Sequence, residues 1–266
     1  MKKLIACLLL LCLLTPCAVL ADGLKFTDIE PGKEYVIRLE KKIYLDPKGP
    51  AAQYYIAQGC ATDGEHGYFV THNKANNQDA VWRVNLSDWS VEQMEYALPL
   101  GHGNDATVNT KTNKLYVVNL DDPDSKTLTQ LDPATLAIEQ QVTLDFGTYA
   151  MAYNETRDQY VFGLGGGYDI VVTDGEFNYI KTLPGVDTGL VRQGMECDDK
   201  YIYFVQWDHQ KYKNYVVVYD WEGNFINNIK VDYWVEIESI IHADGEIYLN
   251  FYDNGCTVYQ ATLSEV

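Results

Sequence analysis

Basic residues are scarce: 20 Lys and Arg stand against 38 Asp and Glu, a formal charge of −18 over 266 residues. That shortage excludes a reader of nucleic-acid backbones, which needs Lys and Arg lined up against phosphates. Long apolar runs are lacking as well. Beyond the N-terminal segment, no stretch approaches the roughly 18 uninterrupted apolar residues of a membrane-spanning helix. The cysteines have neither Cys-x-x-Cys nor Cys/His spacing, so no zinc site is expected. There is no Gly-x-Ser-x-Gly elbow, phosphate-binding loop, His-Glu-x-x-His helix or EF-hand loop. The run Gly163-Leu164-Gly165-Gly166-Gly167 leads into Tyr168-Asp169-Ile170-Val171, another strand. Without a helix N-terminus to receive phosphate, it reads as a hairpin turn.

What is present begins with an address. Residues 1–21, MKKLIACLLLLCLLTPCAVLA, place Lys2 and Lys3 before an apolar run and a small-residue cleavage site. This is the pattern of a secretory signal peptide, cleaved after Ala21, and it predicts a secreted or cell-surface protein. Loss of both lysines leaves 18 − 38 = −20. A lipoprotein signal through Leu14-Thr15-Pro16-Cys17 fits poorly, because Pro16 precedes the cysteine. Cys7, Cys12 and Cys17 leave with the signal, while Cys60, Cys197 and Cys256 remain. At most one intramolecular disulfide can form, and all three read first as small buried strand residues.

A composition of 47% hydrophobic and 13% aromatic residues, with 21 tyrosines, leans towards an all-β fold. The strongest signal is an internal repeat. Tyr68, Tyr116, Tyr160, Tyr203 and Tyr248 recur at intervals of 48, 44, 43 and 45 residues. Each follows a polar turn and lies in an aromatic-then-apolar strand, with a second apolar strand after it. Short strands at this period predict a five-bladed β-propeller, with a two-sheet sandwich as the alternative. The expected blades are 52–101, 102–147, 148–190, 191–235 and 236–266. The N-terminal strand 33–45 would close the last blade, within a single domain over 22–266.

In such a ring the first strand of each blade lines the axis. Counting back from each tyrosine gives Gln58, Asn104, Tyr149, Gln193 and Glu238 as axial, ligand-binding candidates. His102 and Asp105 lie close by in sequence, as does Glu236, two residues before Glu238 on the same strand face. Calcium is the ion such oxygen donors would take, with Asp105, Glu236 and Glu238 as candidate ligands. Trp207, in Gln206-Trp207-Asp208-His209-Gln210-Lys211, is expected as an exposed stacking platform. Most of the other tryptophans are expected in the core.

Several short motifs resemble a known group. Gln58-Gly59 with Asp63-Gly64, then Gly101-His102-Gly103-Asn104-Asp105, Gln193-Gly194 and Glu236-Ile237-Glu238, are similar to blade motifs of helveticin-like and teichoic-acid-biosynthesis-protein-C-like five-bladed propellers. Relatives of that group include phage receptor-binding proteins. The resemblance covers most of residues 52–255 and implies a cell-envelope or glycan-polymer setting. Glutaminyl cyclase propellers are similar in their Gln-Gly opening. Their second blade carries a catalytic Glu between glycines, where this chain has His102-Gly103-Asn104.

The expectation is therefore an exported, monomeric binding module at the cell envelope, recognising a glycan or other small polar ligand at an axial pocket. One alternative is a glycan-directed hydrolase or lyase using Glu238 with His102 or Asp105 as acid and base. Another is a scaffold that binds a cell-surface protein.

Overall fold

The computed structural model describes residues 24–120 and 125–266. The expected signal peptide, 1–21, lies outside them. Two of the repeated tyrosines, Tyr68 and Tyr203, are held by the turns before them. Tyr68 Oη donates to Asp63 Oδ2 at 2.8 Å, while Asp63 Oδ1 accepts from the backbone N–H groups of Glu65 and His66. Tyr203 Oη does the same to Asp198 Oδ2 at 2.5 Å, and Asp198 Oδ1 accepts from Lys200 and Tyr201. Each aspartate thus holds its turn and the tyrosine of the next strand, since its carboxylate can cap backbone donors two or three residues on. Asn109 varies the theme by donating across to Tyr160 Oη at 2.7 Å.

These hairpins build three four-stranded antiparallel sheets. The first holds β2 (Ile56–Thr62), β3 (His66–Asn73), β4 (Gln78–Asn85) and β5 (Ser90–Leu98). The second holds β6 (Gly103–Asn109), β7 (Lys114–Asn119), β8 (Thr127–Leu131) and β9 (Ile138–Thr143). The third holds β10 (Thr148–Asn154), β11 (Gln159–Leu164), β12 (Ile170–Asp174) and β13 (Tyr179–Leu183).

The remainder corrects the expected five-bladed propeller of separate four-stranded blades closed by an N-terminal strand. β14 (Val191–Cys197), β15 (Tyr201–Asp208), β16 (Lys213–Asp220), β17 (Phe225–Val231), β18 (Ile237–Ala243), β19 (Glu246–Tyr252) and β20 (Cys256–Glu265) join β1 (Tyr35–Leu45) in one eight-stranded sheet. Its order is β14-β15-β16-β17-β1-β20-β19-β18. The cause is β1, which pairs antiparallel with β20 and parallel with β17, through Val36 opposite Lys230 and Ile37 opposite Val231. By satisfying both edges, it fuses what the repeat suggested were two blades. The result is all-β and propeller-like, with four sheets.

The leading strands of the repeats pack in a closed circuit: β2 on β6, β6 on β10, β10 on β14, β14 on β18, and β18 back on β2. Apolar side chains fill the wedges between sheets. One wedge sets Tyr149, Val161 and Val172 against Ile202, Phe204 and Trp221. Each such large side chain contributes about 1.5–3 kcal/mol when fully buried. No helix among the described residues is long and apolar enough to cross a membrane.

Candidate functional site

Every strand of that inner circuit carries one extra residue relative to its hairpin partner, and always near its start. The register shifts fall between Ala57 and Cys60, Gly103 and Asp105, Thr148 and Ala150, Arg192 and Met195, and Ile237 and Ser239. Gln58, Asn104, Tyr149, Gln193 and Glu238 all lie within these bulges. A bulge re-aims a side chain and ends local pairing, and bulges of this kind gather at rims and binding sites. All five residues are buried.

The residues that follow in these bulges are Gly59, Asp105, Ala150, Gly194 and Ser239, four small side chains and one carboxylate. Asp105 Oδ2 accepts from the backbone N–H groups of Met151 and Met195, each at 3.0 Å, and Oδ1 accepts from Ser239 Oγ at 2.7 Å. A Cβ on Gly59 would overlap the Asp105 backbone, and one on Gly194 would meet Asp105 Oδ1 and Ser239. Asp105 therefore touches the other four inner strands and plugs the axis. Burial pushes its carboxyl up to about 7, against the opposing pull of Ser239, Met195 and Met151. With its acceptors committed to the protein, it acts as a structural tie.

Above the plug, Asn104 Nδ2 donates to the Tyr149 carbonyl at 2.7 Å, and Gln193 Nε2 donates to Glu236 Oε1 at 2.9 Å. Glu238 is 5% exposed, and its carboxylate has no hydrogen bond to and no cation from a described residue. Burial, then repulsion from Glu236, pushes it well above the usual carboxylate range. Glu236 is also raised, chiefly by burial, with Gln193 and His209 acting the other way. Gln58 Oε1 is buried without a partner. The Tyr252 phenol, raised mainly by burial, is also pushed up by Tyr55, Glu238 and Glu236, so these groups share one neighbourhood. The Tyr55 and Tyr252 rings lie 6.4 Å apart.

Two expectations change here. Trp207 is not an exposed platform: it lies within β15, is 5% exposed, and packs edge-on to Tyr212 at 5.8 Å. Its neighbours in sequence are polar, but the hairpin β15–β16 runs on past it to Asp208, paired with Lys213. The exposed tryptophan is Trp234, at 69%, two residues before Glu236. The Tyr149 ring also leaves the axis. It packs on Phe204 and under Arg192, whose guanidinium lies 4.4 Å from it and 5.3 Å from Tyr168. Arg192 donates to the carbonyls of Leu164 and Gly165, forming one wall of a side cleft of about 430 Å³.

His102 has a left-handed backbone (φ 58°) and stacks on His72, ring centres 4.8 Å apart. The His72 Nδ1 lies 3.0 Å from Asp79 Oδ1, which also accepts from the Gly103 N–H. Among the described residues, no group of three or more His, Cys, Asp or Glu side chains is arranged to hold a metal ion. Asp105, Glu236 and Glu238 accordingly do not form one. The axis also opens below the plug, where a cavity of about 340 Å³ is lined by Thr107, Glu196, Asp198 and His242. There Glu196, pushed up to about 8 by burial, accepts from the N–H groups of Cys197 and His242.

Sequence reasoning missed Tyr55 and Tyr252, and the exposure of Trp234 in the loop that enters β18. Tyr55 and Trp234 precede Gln58 and Glu236 by two or three residues in the loops that enter the inner strands, and that offset was the available signal.

No protein-family profile matches the chain, and no curated protein matches it. Among solved structures, Kuenenia stuttgartiensis hydrazine synthase is similar at 14% identity, over 79% of this chain and 59% of that chain, with a TM-score of 0.47. The chain thus spans less than two thirds of that chain's length.

Proposed function

We propose that the protein is a binding module, exported to the cell envelope, that recognises a glycan or similar small polar ligand at the upper mouth of the ring. The observation that carries this reading is the mouth itself. Gln58, Asn104, Gln193 and Glu238 are buried at the strand bulges, half-buried Glu236 accepts from Gln193, and the exposed rings of Tyr55 and Trp234 belong to the loops that enter β2 and β18. Sugars are held by this combination, with polar groups fixing the hydroxyls and a flat ring packing on the sugar face. The envelope setting is supported by the signal-peptide pattern of residues 1–21 and by the resemblance of the blade motifs.

The test is a glycan array probed with the mature chain, followed by titration of any hit against Trp234→Ala and Asn104→Ala. At least one envelope glycan should bind and lose affinity at least tenfold with either substitution. An empty array would favour the protein-interaction scaffold instead.

A further inference from the structure

Glu238 is an expensive residue where it stands. Its side chain is 5% exposed, no described residue gives it a hydrogen bond or a cation, and only the water its oxygens still reach offsets its desolvation cost. The charge that acts on it, that of Glu236, has the same sign. On the adjacent inner strand, at the equivalent bulge, Gln58 presents an orphan: Oε1, buried and acceptor-only. The two are tied together, because Asn250 of β19 donates to the Gln58 carbonyl at 2.8 Å, and β19 is the hairpin partner of β18. The unmet demand here is for donors and for positive charge. Arg192 does not supply it, since its guanidinium is turned to Leu164, Gly165 and the two tyrosines.

We infer that the ligand of this mouth carries a primary ammonium group, seated on Glu238 with Glu236 and Gln58 Oε1 as its other acceptors. The inference rests on the binding-module reading above and names the chemistry of its ligand. An ammonium has three donors and no acceptor, which matches three oxygen acceptors. The tyrosine faces nearby, Tyr55 and Tyr252, suit a desolvated cation as well. A calcium ion fits less well, because it takes six to eight oxygens and these side chains offer fewer. An amino sugar, bearing both an ammonium and a face for stacking, is the ligand class that uses the whole mouth.

The experiment is titration calorimetry of the mature chain at neutral pH with four probes: a glucosamine tetramer, its N-acetylated counterpart, n-butylamine and calcium chloride. Each is run on wild type, Glu238→Gln and Glu236→Gln, with cooperative unfolding checked so that a misfolded variant is not counted. The free-amine tetramer should bind at least tenfold more tightly than the acetylated one, and Glu238→Gln should abolish that preference. Equal binding of both tetramers would overturn the ammonium inference while leaving the glycan reading intact. Butylamine binding that depends on Glu238, with neither tetramer bound, would uphold the ammonium and overturn the glycan. Calcium binding lost in Glu238→Gln, with no amine bound, would overturn the inference in favour of a metal. No binding by any probe would also overturn it.

Discussion

Ser239 on β18 donates a 2.7 Å hydrogen bond to Asp105 on β6, joining two inner strands that are not neighbours in the circuit. The bond crosses the axis, and with the Met151 and Met195 amides on the same carboxylate it ties four of the inner strands at one residue.

Asp105→Ala would leave three buried donors unpaired. At about 1–3 kcal/mol for each orphaned group, the loss should be about 3 kcal/mol or more. Asp105→Asn keeps the shape and an acceptor oxygen, and should cost clearly less. Urea unfolding of the two variants checks the order.

The raised carboxyls set the pH dependence. Asp105, at about 7, and Glu196, at about 8, are both lifted by burial above their unfolded values. Between the unfolded and folded values the native state binds more protons than the unfolded state, so stability falls as pH rises. Their stabilisation is complete below about pH 4, in the ordinary range of free carboxylates, and is lost by about pH 8. Carboxylates held low act oppositely. Asp174, held low by Asn178, and Asp132, by the Thr135 N–H, lose their contribution as pH falls below about 4. Melting temperatures across pH 4–9 should therefore decline towards the alkaline side, and Asp105→Asn should flatten the decline up to about pH 7.

Cys60, Cys197 and Cys256 are free and buried, and burial pushes all three thiols above their usual range. Thiolate is the reactive form, so a maleimide should not label them in the native protein and should label all three on unfolding. Mass spectrometry of the mature chain counts the adducts.

Trp234 stands out among the tryptophans. Trp82, Trp207 and Trp221 are buried, Trp89 is half-buried, and Trp234 is exposed. Acrylamide should quench one accessible fraction of the emission, and Trp234→Phe should remove most of it. Trp207→Phe should leave that fraction in place.

The all-β class and the positions of the five bulges were legible because both are periodic. The tyrosine recurs at a fixed place in each repeat, locked to its preceding turn at Tyr68 and Tyr203, and the five bulges fall at a nearly constant distance before it. The merged sheet was not legible. β1 lies outside the repeat, and nothing in Tyr35-Val36-Ile37 distinguishes one strand partner from two. Asp105 was visible as a carboxylate but not as a plug, because its role depends on Gly59, Ala150, Gly194 and Ser239 being small in four distant segments. Trp207 misled because its sequence neighbours are polar, whereas exposure is decided by the strand it belongs to. Trp234 follows Val231-Asp232-Tyr233 at the end of a strand, and only the chain path shows that its ring faces solvent.

Whether the upper mouth is the working site is decided by thermal unfolding of the mature chain against a panel of envelope sugars and amino sugars, in wild type, Glu238→Gln and Trp234→Ala. A ligand at about 100 times its dissociation constant adds about 2.7 kcal/mol to the folded state. At least one ligand should raise the melting temperature of the wild type and of neither variant, and unliganded Glu238→Gln should be more stable than wild type at pH 8. A ligand that stabilises all three proteins equally, or a flat response across the whole panel, would contradict a working site at the upper mouth.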